Sequence, residues 1–359
     1  MPAESFVCDN YLMRKARIAV IGAGSWATEN HIPILKARDD AEVVAICAIG
    51  PENLTKVQSR FDIPNATEDY EELLDRFEPD GVVISSPHVC HYEHAKAAIS
   101  MRCHVLVEKP FTTNSIQARE LVRLSDEGGV GIVVPFGYNF TDLALMAAKC
   151  VRDGLLGKIR HVKLHMASAT EDLFLGKSLP EFKDDLLEPS PTTWADPSRA
   201  GGFGWGQLSH ALGLMFLLVD DRPESVFALM GTGGAGVDLF DAATLRFQSG
   251  AVAAISGSSA LAAHAKSQLD LQLYGTKGDL SLDFERERLE VHTSAGETFL
   301  PEVAAGVGVY SCVRPVNFFV DLCLARSGPN PASGLIGCRS TEVLDAMYRS
   351  AKSGRLESA

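Results

Sequence analysis

Short apolar runs alternate with amphipathic stretches over the first third of the chain. Between Arg17 and about Pro135 the runs are RIAVIG, AEVVAICAI, DGVVISSP, CHVLVEKP and GIVVPFGY. The stretches between them, among them NLTKVQSRF, YEHAKAAISM and SIQARELVRLSDEG, carry apolar residues at helical spacing. Strands that are apolar on both faces and separated by helices predict a parallel sheet covered on both sides. Right-handed crossovers make this a doubly wound α/β domain of the Rossmann type.

The pattern changes after a predicted helix near Leu143–Asp153. Segments such as IRHVKLHMAS, ESVFALMG and LDLQLYGTKGDLSLDFERERLEVHTSAG are typical of strands joined by glycine-containing hairpin turns. An apolar helix, LSHALGLMFLLV, and a C-terminal helix, TEVLDAMYRSAKSG, accompany them. We therefore predict an α+β domain with an open-faced, largely antiparallel sheet and helices on one side. The uncovered face of such a sheet often serves as an oligomer interface.

These patterns also predict the domain boundaries. Residues 1–12 are expected to be an N-terminal extension, because Met13-Arg14-Lys15 directly precedes the first strand. Residues 13–135 form the predicted nucleotide-binding domain. Residues 136–359 form the predicted domain for substrate binding and oligomerisation.

Composition and charge narrow the expected partners and compartment. The formal charge of −13 gives a surface that repels phosphate backbones, so nucleic acid is not an expected partner. No window reaches the roughly 18 apolar residues of a membrane-spanning helix, and the N-terminal pattern is not that of a signal peptide. The eight cysteines are scattered and form no CxxC pair. We therefore expect a cytoplasmic protein with reduced thiols and no membrane partner.

A glycine turn follows the first predicted strand and leads into a helix. It reads Gly22-Ala-Gly24-Ser25-Trp26-Ala27, which is a GxGxxA pattern. The first glycine permits the tight turn, the second lets the backbone approach a pyrophosphate, and the alanine allows close packing of helix on strand. The helix N-terminus presents free N–H groups to the phosphates. Glycine turns also arise for steric reasons alone, but this one, at the start of a parallel pattern, predicts a dinucleotide site.

The second predicted strand lacks a feature that such a site usually has. An acidic residue at its end would hydrogen-bond the adenosine ribose, but the sequence there reads Cys47-Ala48-Ile49-Gly50. No arginine follows immediately to bind a 2′-phosphate. The expected cofactor is therefore NAD or NADP, with the choice left open.

Polar residues follow the run DGVVISSP, at the strand end where ligands of open α/β sheets bind. Ser85, Pro87, His88 and His91 are therefore expected to face the cofactor. A metal site is the alternative, because five potential ligands are close in sequence: Cys90, His91, His94, Cys103 and His104. Their spacing does not match that of zinc sites, since no second pair of ligands arrives at a usual interval. We expect no metal.

The run CHVLVEKP ends in Glu108-Lys109-Pro110. A lysine at the end of a buried strand is held near the crevice, where desolvation lowers its pKa toward values useful for proton transfer. Its ammonium group can also bind a substrate hydroxyl or stabilise negative charge on oxygen. The alternative is a solvated lysine, with Pro110 as a simple turn.

Taken in order, the motifs resemble those of the glucose-fructose oxidoreductase, inositol dehydrogenase and rhizopine-catabolism family (Gfo/Idh/MocA). The resemblance runs from Arg17 to Gly354 through GAGSWA, HIPIL, DGVVISSPHVCHYEHAKAAI, VLVEKPF, GLLGKI and YGTKGDL. It implies a Rossmann domain joined to an open-faced antiparallel sheet domain, usually in dimers or tetramers. It also implies hydride transfer to or from a nicotinamide, with sugars, cyclitols or related polyols as substrates.

The resemblance also implies roles for individual positions. Lys109 matches the family's EKP lysine, which lies beside the nicotinamide and the substrate. Tyr138 and Asn139, in PFGYNF, match the stretch that usually lines the pocket for both. The positions that contact the cofactor match Ser85, Pro87, His91 and Glu108.

The second catalytic element departs from the family's pattern. Members commonly have a glycine run, then an aspartate, then a histidine four residues later on one helix. Here GGFGWGQLSH, residues 201–210, supplies His210 but has Gly206 at the position of the aspartate. His210 is the predicted base, since an imidazole pKa of about 6.5 suits proton exchange, although loss of the carboxylate weakens it. Gln207 can orient the ring or bind a hydroxyl. The alternative for His210 is a histidine satisfied within a buried helix.

Three large side chains flank the glycine-rich stretch: Trp194, Arg199 and Trp205. Aromatic faces can stack on the C–H surface of a sugar, and an arginine can bind hydroxyls or a carboxylate. We therefore predict that they bind substrate together with Lys109, Tyr138, Asn139, Gln207 and His210. Ordinary loop packing is the alternative for each of the three.

The sequence therefore predicts an NAD(P)-dependent oxidoreductase that acts on a secondary hydroxyl or carbonyl of a sugar, cyclitol or related polyol. Lys109 and His210 are the predicted catalytic residues. Two alternatives remain open. One is glycoside cleavage or elimination, in which a tightly held NAD oxidises and re-reduces one sugar carbon. The other is a nucleotide-binding protein that does not catalyse.

Overall fold

The first sheet is parallel and contains six strands of the described chain. The computed structural model describes residues 14–179, 182–190 and 192–359, so the predicted extension, residues 1–12, lies outside the described residues. The strands are β1 (Ala16–Ile21), β2 (Ala41–Cys47), β3 (Ala66–Thr67), β4 (Gly81–Ile84), β5 (His104–Val107) and β6 (Ile132–Val133). Their order is β3-β2-β1-β4-β5-β6, so the predicted doubly wound Rossmann sheet is confirmed.

Helices cover both faces of this sheet. A π-helical turn, Ala27–His31, leads into the first of them. The helices are α1 (Ile32–Lys36), α2 (Pro51–Phe61), α3 (Tyr70–Phe77), α4 (His91–Ser100) and α5 (Ser115–Gly128). The carboxylate of Asp69 caps α3 and the amide oxygen of Asn114 caps α5, each by accepting from two backbone N–H groups. The central strand β4 is buried along its whole length, as expected for a sheet between two helical layers.

The second sheet is mixed and contains nine strands of the described chain. They are β7 (Ile159–Ala167), β8 (Pro223–Gly231), β9 (Phe240–Phe247), β10 (Val252–Ser258), β11 (Gln268–Gly275), β12 (Gly278–Asp283), β13 (Arg288–Thr293), β14 (Thr298–Phe299) and β15 (Glu357–Ser358). The strand order is β14-β13-β12-β11-β7-β10-β9-β8-β15. Only the β7–β10 pair is parallel among these described pairs, so the expectation of a largely antiparallel sheet is confirmed.

One face of the second sheet packs against helices and the other is uncovered. The helices of this part are α6 (Asp142–Arg152), α7 (Glu171–Phe174), α8 (Thr192–Ala195), α9 (Ser209–Leu218), α10 (Val313–Cys323) and α11 (Gly334–Ser353). Strict alternation along β9 places Leu245 and Phe247 in the core and their neighbours in solvent. On the uncovered face, Phe227 and Leu229 of β8 expose 38% and 66% of their surface.

The C-terminal segment returns to the first sheet. Arg38 of the Rossmann domain donates to Asp321 of α10 at 2.7 Å and to the carbonyl of Asn317 at 3.1 Å. A Cβ at Gly81 would lie 2.5 Å from Cys323 Sγ, so a glycine is needed where α10 packs on β4. Helix α10 therefore belongs by contact to the Rossmann layer, although it follows the second sheet in the chain.

The run GIVVPFGY was expected to form a strand, and the structure differs from that expectation. It forms a strand only at Ile132–Val133, because Val134 donates its N–H to Ala332 and a 3₁₀ turn, Gly137–Phe140, follows. The chain therefore leaves the sheet after Val133, and Tyr138 lies in this turn instead of in a strand. No helix of the described residues is long and apolar enough to cross a bilayer.

Candidate dinucleotide and active site

Gly22 lies at the closest approach of two loops at the carboxyl edge of the first sheet. Its φ is +87°, and a Cβ there would lie 2.3 Å from the backbone nitrogen of Ser86. The loop after β4 can therefore reach the loop after β1 only because residue 22 has no side chain. Gly24 differs, since nothing lies within 4 Å of the Cβ that it would carry. The open space beside Gly24 is where the pyrophosphate of a dinucleotide fits.

The helix after the turn directs polar groups toward that space. Thr28 donates the first helical hydrogen bond, to the carbonyl of Gly24, so the N–H groups of Ser25 and Trp26 precede the first donor of the helix and are left without a helical acceptor. Ser25 Oγ donates to Asp185 at 2.9 Å. Ala27 is completely buried against the sheet. The turn therefore has the amide donors, the open space and the close helix packing that a dinucleotide requires.

The loop after β4 contains two accessible and two buried residues of the predicted set. Ser85 is half-buried and Pro87 is exposed, at the edge where a cofactor lies. His88 Nδ1 bonds the carbonyl of Ala200 at 3.0 Å, and burial, followed by the nearby ring of His91, lowers the pKa of His88 to about 3. His91 is completely buried between the carbonyls of Pro110 and Ser86, each 2.8 Å away. Both histidines therefore hold backbone segments together.

The side chains that the sequence offers as potential metal ligands do not come together in the described residues. The ring nitrogens of His91 are both used by carbonyl oxygens, and His94 Nδ1 bonds Ser86 Oγ at 2.9 Å. Across residues 14–179, 182–190 and 192–359 there is no group of three or more His, Cys, Asp or Glu side chains placed to hold a metal ion.

The carboxylate of Glu108 is buried and held from three sides. Its Oε1 accepts from Trp26 Nε1 and from His31 Nε2, each at 2.8 Å, and its Oε2 accepts from the N–H of Lys109 at 3.1 Å. Burial alone would raise the pKa of Glu108, but the hydrogen bond and charge of His31 and the charge of Lys109 outweigh it and bring the pKa to about 2. Glu108 is therefore a fixed negative charge. His31, from the HIPIL motif, was not among the residues predicted from sequence.

Lys109 connects the two domains. Its Nζ donates to the carbonyl of Gly206 at 2.8 Å, on the segment that leads to His210. Burial lowers the pKa of Lys109, and the charge of Glu108 opposes that shift. The ammonium is thus a poorly solvated donor with a carbonyl acceptor and a neighbouring carboxylate, a setting that suits contact with a substrate oxygen.

His210 lies beside Lys109 within an aromatic cluster. Burial, and then the charge of Lys109, lower the pKa of His210 well below its ordinary value, so the ring is neutral at neutral pH. Its Nδ1 has no hydrogen-bond partner in the described part of the chain. Tyr138 and Tyr310 pack edge-on against the ring, with centroids 6.1 Å and 5.3 Å away. The imidazole therefore has an unused nitrogen that can accept a proton.

Tyr310 was missed by the sequence analysis. A Cβ at Gly137 would lie 2.5 Å from its ring, so the glycine of PFGY makes room for a segment more than 170 residues away. The only signal in the sequence is that glycine, and it does not identify its distant neighbour.

Phe174 occupies the space of the aspartate that the family pattern has at position 206. A Cβ at Gly206 would lie 3.0 Å and 3.1 Å from two ring carbons of Phe174 and 3.8 Å from Trp194 Cδ1. A larger side chain there requires that Phe174 move. Gln207 is half-buried beside this position. Lys109 accordingly bonds the main-chain carbonyl of Gly206 in place of a carboxylate.

Buried Asp238 holds the glycine-rich segment, and the sequence did not single it out. Asp238 accepts from the N–H of Gly204 and from the hydroxyl of Tyr348, both at 2.7 Å. A Cβ at Gly202 would lie 2.1 Å from Asp238 Oδ1. Burial and the adjacent charge of Asp238 raise the pKa of the neighbouring Asp241 to about 9, so Asp241 keeps its proton at neutral pH. Asp238 thus fixes the backbone of the segment that presents Gly206 to Lys109.

Two predicted substrate-binding residues, Trp194 and Arg199, differ in their surroundings. Trp194 borders Gly206 and stacks on Phe182 with an interplanar angle of 10°. Arg199 is half-buried near the turn that contains Cys90. Burial raises the pKa of the Cys90 thiol, and the charge of Arg199 partly offsets that rise.

Trp205 and Asn139 contact other parts of the protein. Trp205 is buried and stacks on Tyr348 at 5.0 Å, so one face of its indole is already covered. Asn139 is completely buried and donates to the carbonyls of Gly213 and Pro331, while its Oδ1 has no hydrogen-bond partner among the described residues. Their contacts with cofactor or substrate stay predictions.

These features define a class of protein. A Rossmann sheet with a glycine turn and an open space at Gly24, joined to a second domain whose helix α9 carries a neutral histidine, is the architecture of a dinucleotide-dependent oxidoreductase. Two family models match the chain. Residues 16–136 match an oxidoreductase family with an NAD-binding Rossmann fold, and residues 144–281 match the GFO/IDH/MocA C-terminal domain. The chain belongs to the Gfo/Idh/MocA family of oxidoreductases.

Individual proteins show the same likeness. D-glucoside 3-dehydrogenase of Escherichia coli (strain K12) is 31% identical over 40% of this chain and 41% of its own length. Glucose-6-phosphate 3-dehydrogenase of Bacillus subtilis (strain 168) is 27% identical over 60% of this chain and 58% of its own length. The matches thus span about two fifths to three fifths of these relatives.

A solved structure shares the fold over nearly the whole chain. The WlbA dehydrogenase from Bordetella pertussis, solved in complex with NADH and UDP-GlcNAcA, superposes with a TM-score of 0.76. The superposition covers 96% of this chain and 98% of that one, at 23% identity. At this identity the likeness concerns the fold.

The same substitution should have different effects at the two glycines of the turn, on stability at Gly22 and on NADH binding at Gly24. Gly22→Ala should lower the free energy of unfolding by about 2–4 kcal/mol, because the new methyl collides with the backbone of Ser86 at a positive φ. Gly24→Ala should leave stability within about 0.5 kcal/mol of wild type but weaken NADH binding, because its methyl enters the open space. Denaturant unfolding and NADH titration measure both, and equal destabilisation by the two variants would contradict the assignment.

Asp185 places a carboxylate beside the phosphate-binding turn. Asp185→Asn should therefore tighten NADH binding about fivefold, the factor expected from removing about 1 kcal/mol of like-charge repulsion. Asp184→Asn, which neutralises the exposed neighbouring carboxylate, is the control and should change binding little. Calorimetric titration measures both. Weaker binding by the Asp185 variant would show that the carboxylate supports the site.

Proposed function

We propose that this chain transfers hydride between a nicotinamide cofactor and a secondary hydroxyl or carbonyl of a sugar, cyclitol or related polyol. One observation supports this more than any other. Lys109 Nζ bonds the carbonyl of Gly206 at 2.8 Å, so an ammonium from the Rossmann domain lies beside the neutral His210 of the second domain. A substrate hydroxyl between the two would meet one charged donor and one free acceptor.

The protein's part in the reaction is placement and proton handling. Lys109 donates to the substrate oxygen and stabilises negative charge that develops there. His210 accepts the hydroxyl proton at a ring nitrogen, and the negative charge of Glu108 offsets the positive charge of Lys109 that would otherwise oppose charging of the ring. The low pKa of His210 makes it a modest base on its own, so the proton moves as the carbon is oxidised and no free imidazolium has to form beforehand. The cofactor, when bound, supplies the hydride acceptor.

Several residues would hold that cofactor. The amides after Gly24 would bind the pyrophosphate, and Ser85 and Pro87 would contact the middle of the dinucleotide. Ser25 would join them by turning its hydroxyl from Asp185 to a phosphate oxygen. Tyr310 and Tyr138 close the far side of the pocket and exclude water from His210. Exclusion of water strengthens the interaction of Lys109 with a developing oxyanion.

The proposed substrate class is supported by the relatives and by the pocket. The two relatives described above are named as dehydrogenases acting at position 3 of a glucose unit, which is a secondary ring hydroxyl. Trp194 and Gln207 border the pocket with an aromatic face and a free amide, groups that suit a polyhydroxylated ring.

We also propose that the uncovered face of the second sheet joins copies of the chain into a homodimer or homotetramer. Phe227, Leu229, Phe240 and Val252 lie on this face and are 38%, 66%, 42% and 44% exposed. A contiguous apolar face of this kind is costly in water and is typical of an interface. The described cysteines are unpaired, which supports the reducing cytoplasm as the compartment.

Removal of the lysine tests the proposed chemistry. Lys109→Met should lower turnover on any accepted polyol by about 10²–10⁴-fold, because the ammonium that stabilises the reacting oxygen is lost. NADH binding should stay nearly intact. Lys158→Met, at an exposed lysine far along the chain, is the control and should keep full turnover. The measurement is absorbance at 340 nm during a screen of sugars and polyols with NAD and NADP. Full turnover in the Lys109 variant contradicts the assignment.

A charge on the uncovered face tests the oligomer. Leu229→Glu should convert the assembly to monomers in light scattering, because the carboxylate would be buried between two sheets. Ile116→Glu is a matched control, since Ile116 on α5 is 69% exposed and Leu229 is 66% exposed. The control should remain oligomeric. A wild-type chain that is monomeric at high concentration would refute the proposed interface.

A further inference from the structure

The ribose end of the dinucleotide site has a different hydrogen-bond acceptor from the one that Rossmann domains usually have there. In Rossmann domains a carboxylate at the end of β2 bonds the ribose diol. Here β2 ends at Cys47, and the next residue, Ala48, has no polar side chain. Its neighbour Ile49 is 80% exposed at the tip of the turn.

Glu68 brings a carboxylate to that place from the adjacent strand. Cys47 of β2 pairs with Thr67 of β3, so Ala48 and Glu68 leave their strands side by side at the same edge of the sheet. Glu68 Oε1 accepts from the N–H of Gly50 at 2.6 Å, across the turn that follows β2. Gly50 has a φ of +99°, a conformation that a glycine adopts without strain.

Asp69, the other acidic residue of this loop, already uses its carboxylate in hydrogen bonds. Asp69 accepts from the N–H groups of Glu71 and Glu72 as the cap of α3. Glu68 Oε2, by contrast, has no hydrogen-bond partner among the residues that the structure describes, and the Glu68 side chain is exposed. A carboxylate fixed through one oxygen and open at the other can accept from two vicinal hydroxyls.

The local charge discriminates between the two forms of the cofactor. Neither the turn at 48–53 nor the loop at 67–69 contains a lysine or an arginine. A 2′-phosphate would therefore face Glu68 and Asp69 with no cation from either loop to offset their repulsion. The exposed apolar side chain of Ile49 lies beside this position and suits the face of an adenine ring.

We propose that Glu68 is the residue that binds the 2′- and 3′-hydroxyls of the adenosine ribose and that it makes this chain select NAD over NADP. The carboxylate is supplied by β3 in place of β2. This inference rests on the proposed function, since it concerns the same cofactor.

The test measures the binding of NADH and NADPH to the full chain by calorimetric titration, without turnover. Wild type should bind NADH at least about tenfold more tightly than NADPH. Glu68→Gln should weaken NADH binding about tenfold, the scale of a charge-assisted hydrogen bond, and should bring the two dissociation constants close together. Glu68→Asp, which shortens the carboxylate, should lie between the two. Glu71→Gln removes a nearby exposed charge and should leave the ratio unchanged.

The outcomes separate the inference from the function. A wild-type preference for NADPH, or a ratio of dissociation constants that is the same in wild type and Glu68→Gln, overturns the role of Glu68 and leaves the oxidoreductase proposal standing. A shift of the same size in Glu71→Gln also overturns it, because general charge would then explain the preference. Failure of wild type to bind either dinucleotide overturns the proposed function itself. Thermal unfolding of each variant verifies that the fold is retained.

Discussion

The arrangement of the pocket depends on the burial of one ammonium group between two domains. Lys109 extends from the end of β5, and its Nζ reaches the carbonyl of Gly206 at 2.8 Å. A cation removed from water must have partners, and here the ammonium donates to a carbonyl of one domain and lies near the negative charge of the adjacent Glu108 of its own. The hydrogen bonds of Glu108 to Trp26 and His31 fix the carboxylate in turn. These hydrogen bonds thus also fix the position of the helix after the glycine turn relative to Glu108 and Lys109.

Close approach of backbones is the second requirement, and glycine meets it at the two loops that form the pocket. Gly22 lets the loop after β4 contact the loop after β1, and Gly202 lets Asp238 reach the segment before His210. In each case a methyl group would collide with backbone or carboxylate atoms at less than 2.5 Å. Asp238 holds that segment through the N–H of Gly204, and the retained proton of the adjacent Asp241 avoids the repulsion of two full charges in a buried setting.

The departure at position 206 and the low pKa of His210 agree with the weaker histidine that the sequence predicts. The family pattern has a carboxylate there, and its loss predicted a weaker histidine. The structure fills the space with Phe174 and turns the main-chain carbonyl of Gly206 toward Lys109. The ring of His210 is neutral because it is buried and lies beside a cation. In the proposed reaction such a ring would accept a proton as negative charge develops on the substrate oxygen.

The sequence by itself determined the doubly wound sheet, the largely antiparallel second sheet, the glycine turn and the lysine of the EKP motif. These follow from local periodicity and from short motifs, whose physical meaning is contained in a few neighbouring residues. Only the tertiary structure decided that His31 holds the carboxylate of Glu108, that Tyr310 packs against His210, that Trp205 packs on Tyr348, and that α10 returns to the first sheet. These contacts join residues far apart in the chain. No local pattern specifies them, because they depend on which buried surfaces and charges find partners once both sheets have formed.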